Sequence, residues 1–187
     1  MRIIGLLLLL LLALVGVPPA RADHELSLLR ERGLALMRHG GAIPAPPGAT
    51  PPVPGCDPGA VLTEMGREEM RRWGAALRSA GLPPVTLLTS HQCSAWETAV
   101  LLDLGPVVTD PALDPWDRAE GATRGEQLRQ HVVALEGARR QGAGPVIMIT
   151  HRANILAVTG IEASHGELLL LRADRGSLGL LGRLQME

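Results

Sequence analysis

Two short apolar runs, each ending directly on a histidine, constrain this chain more than any other feature. Gly33-Leu34-Ala35-Leu36-Met37 breaks off at Arg38-His39-Gly40-Gly41, and Val146-Ile147-Met148-Ile149 breaks off at Thr150-His151. Each reads as a continuous buried strand that stops at a loop. Residues 85–89 and 107–109 form two further short strands. Helical segments lie between them. Residues 25–32 give a short lead helix. Thr63 has the character of an N-cap, with Glu64, Glu68 and Glu69 early in the following helix, Arg71, Arg72 and Arg78 late, and Gly81 as its stop. Residues 94–102, 123–141 and 153–158 complete the helices, and 166–172 with 177–184 reads as a terminal hairpin. Strands alternating with helices imply an α/β fold of three layers, α/β/α, around a mostly parallel central sheet. Residues 43–59, crowded with Pro and Gly, hold neither a helix nor a central strand. Residues 114–125 are a second expected loop.

The first 22 residues have a different purpose. Met1-Arg2 leads into an apolar stretch over residues 3–17, followed by Pro18, Pro19 and Ala20-Arg21-Ala22. A basic start, a short apolar run and small residues before the break predict a secretory signal cleaved after Ala22. The run is shorter than the ~20 residues that span a bilayer. Residues 1–22 are thus read as a signal peptide and 23–187 as one domain, secreted or periplasmic, with no membrane span after cleavage. The net charge of −1 gives no electrostatic case for a nucleic-acid or anionic-membrane partner. The absence of Tyr and Phe argues against base-stacking platforms. In an oxidising compartment the two cysteines, Cys56 and Cys93, favour a disulfide. A pair of metal ligands is the competing reading, without the close spacing of such sites.

If the two buried strands are central and parallel, His39 and His151 emerge together at the carboxyl edge of the sheet, where open α/β sheets bind ligands. A neutral imidazole is a nucleophile toward phosphorus that needs no metal. Arg38 beside it would neutralise and orient a phosphate with its forked donors. Gly40 and Gly41 would let the backbone approach the anion.

Leu36-Met37-Arg38-His39-Gly40 resembles the signature of the histidine phosphatase, or phosphoglycerate mutase-like, superfamily. Three further segments follow in that family's order: Leu62-Thr63-Glu64-Met65-Gly66; Thr89-Ser90 with Glu97-Thr98-Ala99; and Ile149-Thr150-His151-Arg152-Ala153-Asn154-Ile155 with Gly160 and Gly166-Glu167. The paired cysteines are similar to those of an exported bacterial subgroup. The resemblance implies a phosphoglycerate mutase-like fold and a phosphatase that acts on a small phosphorylated substrate without cofactor or metal. It implies that His39 becomes phosphohistidine, that Arg38 binds phosphate, and that His151 is the second histidine of the pocket.

Two positions depart from the family pattern. An arginine usual shortly before Glu-Thr-Ala is Ser94 here. Either Arg152, next to His151, restores the missing charge, or the chain binds phosphorylated ligands without turning them over. The usual carboxylate acid also lacks a clear motif; Asp114, Asp117 and Glu120 are candidates, Asp114 the nearest by position. Ser90 is a candidate phosphate donor and His91 a candidate ligand contact. His24, His131 and His165 are assigned to scaffold or solvent, and Glu97 and Glu167 to scaffold. The set of close His/Asp pairs that a zinc or di-metal hydrolase needs is missing, as is the Gly-x-Ser-x-Gly elbow of serine hydrolases.

Overall fold

The computed structural model describes residues 20–116, 120–142, 144–174 and 176–186. The apolar run at 3–17 and Asp117 lie outside them. Among the described residues no helix is long and apolar enough to cross a membrane.

The expected strands form a six-stranded sheet. In chain order they are β1 (Leu34–Arg38), β4 (Thr86–Thr89), β5 (Val107–Thr109), β6 (Val146–Thr150), β7 (Leu168–Asp174) and β8 (Ser177–Leu184), arranged β5-β4-β6-β1-β7-β8. β1 pairs in parallel with β6, β6 with β4, and β4 with β5. β7 runs antiparallel to both β1 and β8, so it alone opposes the other five. Leu34 lies opposite Val146 and Arg38 opposite Thr150. The two strands that end on histidines are therefore neighbours in matched register.

Alternation along β1 builds the layers. Ala35 and Met37 face one cluster with Leu29, Met70, Trp73, Leu77, Ala99 and Leu102. These come from α1 (Ala20–Arg32), α2 (Glu64–Ser79) and α3 (Cys93–Leu102). Leu34 and Leu36 face the opposite cluster with Leu128, Val132, Ile155 and Val158, carried by α4 (Gly121–Arg140) and α5 (Arg152–Thr159). The unbroken apolar run from Leu34 to Met37 follows from burial on both faces. Thr63 caps α2 as expected, its side chain accepting from the Gly66 N–H.

The Pro/Gly-rich segment contributes no central strand. Its start, β2 (Ala42–Pro44), pairs instead with β3 (Ala60–Leu62) in a separate two-stranded ribbon. Cys56 and Cys93 form the disulfide, with Cα atoms 4.9 Å apart. Backbone bonds from Asp57 N–H to His91 O (2.8 Å) and Cys93 N–H to Asp57 O (2.7 Å) flank it. The long loop is thereby fastened to the start of α3.

Candidate active site

The parallel pairing of β1 and β6 delivers His39 and His151 side by side at the carboxyl edge. Their ring centroids are 5.2 Å apart at an interplanar angle of 60°. Both are nearly buried, at 9% and 7% exposure. Burial disfavours the imidazolium form and lowers the pKa of His39 to about 4 and that of His151 to about 3. The charge of Arg38 is a smaller contribution in the same direction in both. Both rings are therefore neutral at neutral pH.

Hydrogen bonds distinguish their nitrogens. His39 Nδ1 lies 2.8 Å from Gly40 O. A carbonyl only accepts, so the proton sits on Nδ1 and the lone pair on Nε2. His151 Nε2 lies 2.9 Å from Ser90 Oγ. Ser90 in turn donates to Asp114 Oδ1 at 3.0 Å, so its oxygen accepts from the His151 Nε2–H. One imidazole carries its lone pair on Nε2, and the other carries a proton there, donated to Ser90.

Asp114, the acid candidate nearest by position, is brought to this edge by its surroundings. Thr150 Oγ1 donates to Leu113 O at 2.7 Å, and the buried Asn154 amide donates to Leu113 O and Asp114 O at 3.1 and 2.9 Å. Besides Ser90, the Asp114 carboxylate accepts from the His91 backbone N–H (2.7 Å), and its Oδ2 lies 3.0 Å from His91 Nδ1. The His91 side chain is 41% exposed. Asp114 and His91 thus form a carboxylate–imidazole pair joined to His151 through Ser90. Glu120 lies at the start of α4, its side chain 3.7 Å from Arg124.

Arg38 donates from Nη1 to Ala163 O at 2.9 Å, while its Nε is buried with no hydrogen-bond partner. Arg152 is 56% exposed and ion-paired with Glu162. Ser94 is fully buried in the first turn of α3, and its carbonyl accepts from Thr98 Oγ1 at 2.7 Å.

The structure corrects two expectations. His165, assigned to scaffold or solvent, lies in the site: its ring centroid is 5.6 Å from that of His39, and Arg38 Nη2 donates to its Nε2 at 2.7 Å. Gly40 also differs from its expected use, because its N–H is already donated to Thr98 Oγ1 at 3.0 Å. The neighbouring helix packs against the loop at Gly40, where a Cβ would meet Met70 Cγ at 2.9 Å. A Cβ on Gly66 would meet Gly41 O at 2.3 Å, so α2 approaches the loop closely only with glycine there. Glu97 and Glu167 are each paired with an arginine, Arg67 and Arg183 respectively.

No protein-family model and no curated protein matches the sequence. Solved structures do match in shape. The protein histidine phosphatase SixA, in complex with tungstate, aligns with a TM-score of 0.61 at 19% identity, covering 81% of this chain and 95% of that one. A SixA-type phosphohistidine phosphatase from Agrobacterium tumefaciens aligns at 0.55 and 16% identity, covering 82% and 97%. The mycobacterial glucosyl-3-phosphoglycerate phosphatase aligns at 0.53 and 17%, covering 80% and 96%. The chain has the histidine phosphatase, phosphoglycerate mutase-like fold.

Proposed function

We propose that this protein is a metal-independent phosphohydrolase that cleaves a phosphate monoester through a phosphohistidine on His39. The observation that carries the reading is the asymmetry of the paired imidazoles. His39 offers a lone pair on Nε2 beside a guanidinium, and the neighbouring ring of His151 holds a donor. The likeness in fold to proteins described as phosphohistidine and sugar-phosphate phosphatases supports the same class of reaction.

In the first step His39 Nε2 attacks phosphorus, the N–P bond forms, and the bond to the ester oxygen breaks. The leaving oxygen takes a proton from the Asp114–His91 pair, with His91 the exposed member that delivers it. In the second step water attacks phosphorus, gives its proton to the same pair, and the N–P bond breaks to release phosphate. Arg38 and His151 hold the phosphoryl oxygens throughout. The orphan Arg38 Nε–H gains an acceptor when the anion binds. The His151 Nε2–H, donated to Ser90 Oγ, turns to a phosphoryl oxygen when the anion binds. Arg152 joins the ligands only by leaving Glu162.

The chain is read as exported, on the pattern of residues 1–22 and the disulfide. Cleavage after Ala22 falls inside the first turn of α1.

Ser94 in place of the expected arginine favours a second reading, a phospho-ligand-binding protein without turnover. Loss of a cationic ligand weakens transition-state stabilisation by roughly 3 kcal/mol or more. Assay of the mature protein on an aryl phosphate, with and without chelator, beside His39→Ala decides between them. Turnover that survives chelation and disappears in His39→Ala is the expected result. A silent wild type that still binds tungstate would establish the binding protein instead.

A further inference from the structure

We propose that His165 is a third imidazole ligand of the bound phosphoryl group, taking up a proton as the anion enters and replacing the cation that Ser94 does not supply. The inference rests on the reading of this edge as a phosphate site.

Its first support is position. The backbone on the C-terminal side of His165 is clamped from two layers. Gly166 N–H donates to Arg38 O at 3.0 Å, and Gly166 O accepts from Trp73 Nε1 at 2.6 Å. Gly166 has φ +71°, a left-handed turn suited to glycine, and a Cβ there would meet Met70 Cε at 2.7 Å. The clamp holds the half-buried His165 ring against Arg38 on β1 and at 5.6 Å from the His39 ring.

The second support is the hydrogen bond itself. Arg38 has no acceptor capacity, so His165 Nε2 receives the bond and is unprotonated in this state. A phosphoryl dianion is a stronger acceptor for the Arg38 donor than a neutral imidazole. Once Arg38 turns to the anion, His165 Nε2 is freed beside two negative charges and binds a proton from solvent. Burial and Arg38 lower the His165 pKa, and a bound anion acts in the opposite sense.

Among the titratable groups nearby, the neutral His39 ring adjoins that of His165 and is itself beside the neutral His151; Glu162 and Glu167 lie close in sequence, paired with Arg152 and Arg183 respectively. Glu69 of α2 approaches Gly166, and Arg183 of β8 pairs with Glu167. Arg152 is engaged with Glu162, and Arg183 with Glu167. Arg38 is the cation directly bonded to His165.

Sulfate tests this without turnover, because its charge is constant across the range in which histidine titrates. Calorimetry in buffers of different ionisation enthalpy measures the protons taken up as sulfate binds. At about pH 6.5, His165→Gln should take up fewer protons than wild type, by up to one. Its sulfate affinity should fall roughly tenfold at acid pH and change little at alkaline pH. Glutamine still accepts from Arg38, so a residue that only positions the guanidinium would keep both quantities unchanged. His165→Asn, with circular dichroism, checks that an effect is not misfolding. Unchanged proton uptake in folded variants would overturn the role of His165 while leaving the phosphate site intact. A folded wild type that binds neither sulfate nor tungstate would instead remove the phosphate site, and this inference with it.

Discussion

Neutral histidine is an ordinary side chain, and its chemistry here depends on one hydrogen bond to the following residue. The His39 Nδ1–H on Gly40 O leaves the lone pair on Nε2, the atom that the proposed reaction uses. Gly40 is itself held by Thr98, whose hydroxyl accepts its N–H and donates to Ser94 O. Thr98→Val keeps the shape and removes both bonds. It leaves a buried N–H without an acceptor, so a loss of about 1–3 kcal/mol in stability is expected. The turnover number should fall as well, because the peptide that orients His39 is loosened. Thr98→Ser should recover most of both quantities; a valine variant as active as wild type would show that Gly40 needs no anchor. Thr98 was visible in the sequence within Glu-Thr-Ala, and its use was not. The bond joins residues 58 positions apart and follows no local pattern. His165 was hidden for a related reason. His39 and His151 each close an apolar strand, so periodicity marks them, whereas His165 sits in a turn after α5 with no periodic signal.

The elements that carry the site were legible because each has a local cause. Continuous apolar runs marked β1 and β6, the Thr63 cap marked α2, and glycine marked its end. The β2–β3 ribbon was not legible, since a three-residue pairing with a proline in it lacks the alternation that announces a strand. The Cys56–Cys93 bridge fastens that Pro/Gly segment beside the candidate site. It anchors residues 56–57 to residues 91–93, next to the imidazole that faces Asp114. A double Cys56→Ser, Cys93→Ser variant should lose roughly 2–4 kcal/mol of stability. If the bridge also steadies the proton donor, the kinetic defect will depend on the leaving group. An aryl phosphate, whose phenoxide departs readily, should be cleaved nearly as fast as by wild type. An alkyl phosphate, which needs the proton, should slow about tenfold or more. Equal slowing on both would place the bridge in the scaffold alone.

At the scale of the molecule, a sheet edge that gathers unprotonated imidazoles makes the fold itself sensitive to acid. His39 and His151 titrate near 4 and 3 when folded and near 6.5 when unfolded. Between those limits the unfolded chain binds protons that the folded chain refuses. Stability is therefore full above about pH 7 and declines as pH falls through 6.5 toward 4. Each fully refused proton is worth about 1.4 kcal/mol per pH unit. Glu136 and Glu167 also have lowered pKa values, through their arginine partners. Their stabilisation is lost only below the ordinary carboxylate range, so the interval above about pH 5 belongs mainly to the histidines. Urea midpoints across that interval should rise steeply with pH in wild type and less steeply in His39→Gln, which cannot bind the proton in either state. Sulfate should oppose the acid loss, because an anion that favours protonated imidazoles binds the folded chain more tightly as pH falls. A slope unaltered by the glutamine substitution would mean that folding does not lower the His39 pKa. The Nε2 lone pair would then be lost to protonation below about pH 6.5 and not only below about 4.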